Sequence, residues 1–339
     1  MGAPGLRVGV IGLGRIGAHH ARTLASLQHV SVAVADVDRA RAASVAAGLG
    51  ARDLAVEGVF AGAVDAVVIA APTPAHAGLL RRAAEAGLPA FCEKPVALDL
   101  AILDAVRRDV EAAGIYVQVG FQRRFDAGYR AARDVVASGA AGTLLVLRAA
   151  THDPAPPPEA YVAASGGIFR DLHIHDLDAI RFVTGREIAE VYADGSVRET
   201  EWFSRVGDVD AAAAVLRLAD GTLAVVTGTR RDPRGYDVRL EVLGTLDSIA
   251  VGADAPAPYR SVDPGGGDPG RLPATFAERF ADAYRAELAA FVDAVESGAP
   301  SLCTLADARA ALAAAVAADR SLAERRPVLV EETAPARTA

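Results

Sequence analysis

The chain has only two cysteines in 339 residues, Cys92 and Cys303, and no excess of positive charge, since 35 lysines and arginines face 43 aspartates and glutamates for a net charge of -8. Two thiols so far apart, matching no metal spacing, exclude a disulfide framework and lead us to expect a reducing, cytoplasmic setting. The arginines are scattered among acids, so there is no basic footprint for nucleic acid. Long apolar runs are also missing: stretches such as Ala66 to Ala71 fall far short of the roughly 20 residues that cross a bilayer, so no membrane partner is expected. The first residues lack the basic and apolar regions of an export signal. No set of histidines and carboxylates has the close spacing of a zinc or iron site, and no metal is expected. We find no tandem repeat.

What is present is a two-part rhythm, as the length of the chain leads one to expect. From Arg7 to Gly120, short apolar runs alternate with alanine-rich amphipathic segments, the pattern of a doubly wound parallel sheet. The predicted strands are Val8 to Ile11, Val30 to Ala35, Ala66 to Ala71, Pro89 to Cys92 and Tyr116 to Val119, with helices such as Ala75 to Ala86 and Leu100 to Ala113 between them. After Gly120 the rhythm changes. A helix near Ala127 to Ser138, a strand near Leu144 to Ala149, a proline-rich loop at Pro154 to Pro158 and a helix from about Arg170 to Val183 precede long β-rich stretches at Ile188 to Ser196, Ala211 to Leu218, Leu223 to Gly228 and Val238 to Leu243. Turn signals at Ala219-Asp220-Gly221 and Gly244-Thr245 make this half a largely antiparallel sheet. The stretch Asp254 to Pro273 reads as a surface excursion, followed by helices at Ala281 to Ser297 and Asp307 to Glu324, a short strand at Val328 to Val330 and a frayed end. The fold class expected is α/β: an N-terminal Rossmann dinucleotide-binding domain, residues 1–122, and a C-terminal α+β domain, residues 123–339, with a large, mainly antiparallel open sheet.

Gly12-Leu13-Gly14-Arg15-Ile16-Gly17 follows a strand and opens a helix, the context that makes a glycine pattern a dinucleotide signature. Gly12 permits the tight turn, Gly14 lets amides approach a pyrophosphate at the positive helix end, and Gly17 lets the helix pack on the sheet. Asp36 ends the second strand, where a carboxylate accepts from the adenosine ribose and repels a 2′-phosphate, so NAD is expected over NADP. Arg39 and Arg41, close behind it, are the residues that could hold a 2′-phosphate. Arg15, Ile16, Thr73, His76, Glu93 and Lys94 complete the expected set of cofactor contacts.

Phe91-Cys92-Glu93-Lys94-Pro95, a strand ending in Glu-Lys-Pro after a dinucleotide fold, resembles the glucose-fructose oxidoreductase and inositol dehydrogenase (Gfo/Idh/MocA) family. The likeness continues through Gly120 to Asp126, through the Ser165 to Asp176 segment with Asp171 and His175, and through Gly235 to Gly244, and so covers nearly the whole chain in order. The last of these is similar to a strand of inositol 2-dehydrogenases. The resemblance implies NAD-dependent oxidation of a ring hydroxyl of a cyclic polyol or sugar, myo-inositol first, and a homo-oligomer, dimer or tetramer, joined through the second domain's sheet. Other sugars, NAD-dependent glycoside hydrolysis and a non-catalytic cofactor-binding regulator are the competing readings.

Oxidising an alcohol needs a base, a hold on the developing alkoxide and a hydride acceptor. His175 is the candidate base, since imidazole titrates near neutral pH. Asp171, four residues earlier on the expected helix, would orient it. Lys94, at a strand end, would hold the oxygen. The family gives matching positions these same roles. Arg123, Asp153 and Tyr236 are the candidate polyol contacts, alongside Lys94, Asp171 and His175. His173 and Asp176 are read as structural or surface groups or, for Asp176, as a residue behind the base. Arg124 is read as a surface or domain-interface arginine and Trp202 as a packing aromatic.

Overall fold

The apolar runs of the first half become strands because each is short, β-branched and bounded by turn residues. In the computed structural model, which describes residues 5–252 and 272–333, β1 (Leu6–Ile11), β2 (Val30–Ala35), β3 (Arg52–Asp53), β4 (Ala66–Ile69), β5 (Ala90–Glu93) and β6 (Val117–Gly120) form one sheet in the order β3-β2-β1-β4-β5-β6. Every pairing in it is parallel. The strand order reverses beside β1, where it turns from β2 to β4, and the carboxyl ends of the strands there open the crevice that binds ligands in such sheets.

The intervening helices start and stop where the sequence supplies caps. Asp38 caps α2 (Arg39–Leu49) through the Arg41 amide, and Gly50 closes it in the left-handed conformation. Asp99 accepts from Ala101 and Ile102 at the start of α4 (Leu100–Ala113), which follows α3 (Thr73–Glu85). Such caps are each worth about 1 kcal/mol. Helix α1 (Arg15–Ala25) buries Ala21 and Leu24 with Val8, Val10, Val34, Val68 and Phe91.

The same cluster takes in Leu288, Phe291 and Val292, and Phe291 meets Phe91 edge to face at 5.9 Å. Where the sequence points to one crossover near residue 122, the chain groups as Met1–Phe125 with Asp282–Arg309 in one unit and Asp126–Ala281 with Ala310–Ala339 in the other. An amphipathic pattern shows that a helix has a core-facing stripe without showing which core it faces.

In the second unit, β7 (Leu144–His152), β8 (Ile188–Ser196), β9 (Ala211–Leu218), β10 (Leu223–Thr229), β11 (Asp237–Gly244), β12 (Ser248–Val251) and β13 (Val328–Leu329) form a sheet in the order β12-β11-β7-β10-β9-β8-β13. All its pairings are antiparallel except β7 with β10, which run side by side from Val146↔Leu223 to His152↔Thr229. Alternate residues of β9 and β10 are buried, and helix α6 (Ile174–Thr184) packs on β7. Helix α5 (Ala127–Ala137) is capped by Asp126, which also pairs with Arg279 at 3.0 Å.

Three local expectations need correcting. Asp171 does not lie in the regular helix: residues Phe169–His173 form a wider π-type turn, and α-helical geometry begins at Ile174. The proline-rich loop is followed by a short helix, Glu159–Ser165, which the sequence reading did not separate from the loop. Strand β7 runs on to His152, since Ala150 and Thr151 continue its pairing with both neighbours. The expected surface excursion, up to residue 271, and the frayed end from residue 334 lie outside the described residues.

Candidate active site

The first unit presents the glycine loop as a rigid turn. Gly12 has a φ of +88°, and a Cβ there would sit 2.5 Å from the Ala71 backbone; a Cβ on Gly17 would sit 1.7 Å from the Gly12 carbonyl oxygen. Gly14 differs. A Cβ there would meet nothing within 4 Å, and no side chain caps helix α1 at this residue. The open space in front of Gly14, at the positive end of the helix that begins with Arg15 and Ile16, fits a diphosphate.

Asp36 follows β2 and is tied to this loop. Its Oδ2 accepts the Leu13 amide at 2.7 Å, its Oδ1 accepts the Asp38 amide at 2.8 Å, and Arg41 Nη1 lies 3.3 Å from Oδ2. Burial works against its charge, but the Leu13 and Asp38 amides, followed by Arg41, outweigh it and hold the carboxyl below its usual range. A carboxylate has lone pairs enough to accept ribose hydroxyls as well. Arg39 is engaged elsewhere, with Asp53 and the Leu54 carbonyl, both at 2.6 Å.

The strand end that carries Lys94 is braced from two sides. Glu93 Oε1 lies 2.7 Å from His20 Nε2, and Glu93 Oε2 accepts the Lys94 amide at 3.1 Å. His76 is buried in α3, with its ring nitrogens 2.8 Å from the Pro95 carbonyl and 2.6 Å from that of Ala71, and burial, outweighing those two carbonyls, lowers its pKa. Both side chains, expected at the cofactor, thus have protein partners that fix the backbone around Lys94. Thr73 begins α3 and is half-buried. Arg123 is buried in a short turn after β6. Arg124 is corrected from a surface residue: it is buried, 3.1 Å from Asp307 and 3.2 Å from the Leu302 carbonyl.

In the second unit the structure brings Asp153 and Asp171 to one guanidinium. Arg230 Nη1 lies 3.1 Å from Asp153 Oδ2 and Nη2 lies 3.0 Å from Asp171 Oδ2, while the Tyr161 hydroxyl donates to Asp171 Oδ1 at 2.8 Å. Arg230 was not among the expected site residues, because Thr229-Arg230-Arg231-Asp232 reads as a polar turn. His175 opens α6 and is half-buried. Tyr236 precedes β11, its amide donating to the Pro273 carbonyl at 2.7 Å and its ring edge-on to Phe280. His173 is structural and not surface: it is 1% exposed, with Nδ1 2.9 Å from Asp176, which also accepts the Thr151 hydroxyl at 2.8 Å. Trp202 stacks on Phe203 at 4.0 Å.

A parallel sheet in this strand order, a glycine turn before a helix and an acidic residue after the second strand define the first unit as a dinucleotide-binding domain. Residues 6–121 match the model of an oxidoreductase family with an NAD-binding Rossmann fold, and residues 129–250 match that of the GFO/IDH/MocA C-terminal domain. The chain is 38% identical over 331 residues to the myo-inositol 2-dehydrogenase of Thermotoga maritima, covering 96% of this chain and 99% of that one. Among solved structures it is similar to the myo-inositol dehydrogenase of Corynebacterium glutamicum, with a TM-score of 0.88 and 35% identity over 98% of this chain and all of that one. It is also similar to the scyllo-inositol dehydrogenase of Lactobacillus casei with bound NAD(H) and scyllo-inositol, with a TM-score of 0.88 and 30% identity over 96% of this chain and 99% of that one. The chain belongs to the Gfo/Idh/MocA family of oxidoreductases, and its cofactor is NAD. Among the described residues no helix is long and apolar enough to cross a membrane.

Proposed function

We propose that the chain is an NAD-dependent inositol dehydrogenase that oxidises one ring carbinol of myo-inositol to the 2-keto-inositol. The observation that carries the substrate is the near full-length likeness to a protein named as a myo-inositol 2-dehydrogenase. The second unit supports it with two nearly buried carboxylates, Asp153 and Asp171, of the kind that accept hydrogen bonds from hydroxyls.

NAD would be held by the Gly12–Gly17 loop and Asp36, and supplies the hydride acceptor. The residues of the chain do the rest. His175 takes the hydroxyl proton, Asp171 favours the imidazolium that results, and Lys94 holds the oxygen as negative charge develops on it. The C–H electron pair leaves carbon as hydride and the O–H proton goes to His175, leaving a carbonyl. Arg123, Asp153 and Tyr236 are assigned to the other hydroxyls.

A cytoplasmic, homo-oligomeric enzyme, dimer or tetramer, completes the reading. One face of the second sheet carries the exposed pair Tyr192 and Val215, with the half-buried Val225 paired beside Val215 and the Arg148–Glu241 ion pair flanking them, and association would bury this apolar surface.

The test is NADH formation by the purified protein with NAD or NADP against myo-inositol, scyllo-inositol, glucose, xylose and levoglucosan. Turnover of myo-inositol with NAD is the expected result, and scyllo-inositol alone would move the assignment to the other stereochemistry. No turnover on either inositol overturns it.

A further inference from the structure

Arg230 stands at an unusual place in the fold. Strands β7 and β10 are the only parallel neighbours among the described strands of the second sheet, so they end on the same side, and Asp153 and Arg230 are the first residues beyond their paired ends, His152 and Thr229. Two backbone bonds lock this corner: the Asp153 amide donates to the Thr229 carbonyl at 2.9 Å and the Arg230 amide to the Asp210 carbonyl at 2.8 Å. The Arg230 side chain is 2% exposed, and the carboxylates it meets are 17% (Asp153) and 8% (Asp171) exposed.

A guanidinium out of water needs compensation. Burial works against its charge, but Asp171 and Asp153, with Asp208 behind them, outweigh it and hold the group above the ordinary arginine range. Asp208 is itself anchored by the Ile168 amide at 2.9 Å, one residue before the π-type turn that carries Asp171. Tyr161 holds the other Asp171 oxygen, so that carboxylate is gripped at both ends. Arginine suits this bridge because its charge is spread over a planar group whose Nη1 donates to Asp153 while Nη2 meets Asp171 as an ion pair, a span that a lysine's single nitrogen does not cover.

We infer that Arg230 is a positioning residue for the oxidation: it fixes Asp171 and Asp153 at a set distance from one another, Asp171 for its assigned work with His175 and Asp153 for the substrate's hydroxyls. The inference rests on the reading of Asp171 and Asp153 in the proposed function.

The experiment is a mutant cycle on the full-length enzyme with saturating NAD. Arg230→Met lowers kcat for inositol oxidation by about 10²-fold with NAD affinity kept. Added to Asp171→Asn, it lowers kcat no further, because residues acting as a unit are not additive. Arg230→Lys restores the charge and brings kcat back to within about tenfold of wild type, but leaves KM for the inositol raised. Losses that multiply across the cycle, or an Arg230→Met enzyme of full activity, overturn the inference. If the methionine variant does not fold, Arg230→Lys is read in its place through KM for the inositol, whose rise should not multiply with that of Asp171→Asn; a KM rise that multiplies overturns the inference.

An inactive wild type, or a fully active Asp171→Asn, defeats the functional reading instead. The bridge is then judged by thermal midpoints. Asp171→Asn raises the midpoint of the Arg230 variant and lowers that of the wild type if Arg230 compensates that carboxylate, and a shift of the same sign in both backgrounds overturns the bridge itself.

Discussion

His20 Nε2 lies 2.7 Å from Glu93 Oε1, and the two side chains, one from the helix behind the glycine loop and one from the strand that ends in Lys94, are almost wholly removed from solvent. The pair joins the part of the fold that receives the cofactor to the residue assigned to the alkoxide. A second carboxyl, Glu287, is fully buried in the same unit, and among the described residues neither of its oxygens has a hydrogen-bond partner. Burial first, and the charge of Glu93 second, push its pKa well above the usual value of 4.5.

Glu287 gives a pH prediction whose sign follows from that shift. A carboxyl raised in the folded state binds its proton more tightly there than in the unfolded chain, so its stabilising effect is complete below about pH 4.5 and is lost as pH rises toward the folded pKa. Glu287→Gln keeps the shape and removes the ionisation. The variant should match the wild type near pH 4 and gain on it as pH rises above about 4.5 in thermal unfolding. A constant gap across that range would show that Glu287 does not titrate between the two states.

The glycine loop gives a prediction that separates folding from binding. A Cβ on Gly17 meets the Gly12 carbonyl oxygen at 1.7 Å, so Gly17→Ala should cost at least ~3 kcal/mol of stability. At Gly14 the space is open, and Gly14→Ala should leave unfolding within ~0.5 kcal/mol of wild type while weakening NAD at least about tenfold, because the methyl group takes room the phosphates need. Calorimetric titration and thermal melts on both variants read the difference. Equal melting losses with unchanged NAD affinity at Gly14 would remove the loop from the cofactor site.

How much of this was legible in the sequence depended on whether the signal was local. Strands β1, β2 and β5 and the glycine turn could be read within ten-residue windows, since apolar alternation, turn glycines and the acid after β2 all act on near neighbours. Arg230 could not. Its partners lie 77 and 59 positions away, and only the parallel adjacency of β7 and β10, itself a long-range fact, brings Asp153 beside it. An arginine doublet reads as surface, and for the same reason Arg124, buried against Asp307, was misread. Asp171 was placed on a regular helix because a single wide turn leaves no mark in the hydrophobic period.

Asp36 serves two structures at once, which sets the outcome of replacing it. Asp36→Ala strands the Leu13 and Asp38 amides and should cost about 1 to 3 kcal/mol in unfolding experiments. Asp36→Asn keeps an acceptor and loses the charge that repels a 2′-phosphate, and it releases Arg41, now 3.3 Å from the carboxylate, to meet one. Asparagine has one oxygen where the carboxylate uses two, so this variant should lose about 1 kcal/mol through the one amide left unpaired, and it should shift the ratio of kcat/KM for NAD over NADP downward by at least about tenfold. An unchanged ratio would leave Asp36 as a loop brace only.

Lys94 and His175 are set in different units, on a strand end and a helix start, and each has a role that only the chemical step should feel. Lys94→Ala removes the charge that holds the developing alkoxide, and His175→Ala removes the proton acceptor. Each should lower kcat by at least ~10²-fold, the scale on which acid and base groups act. Neither supplies the glycine turn or the ribose carboxylate, so NAD affinity measured by fluorescence should stay within about threefold of wild type, less than the tenfold that 1.4 kcal/mol of binding represents. The comparison between the two quantities carries the argument. A loss of turnover with NAD affinity kept places each residue in the oxidation itself, whereas parallel losses in both would make them braces for the cofactor fold and return the search for the base to the carboxylates around Arg230.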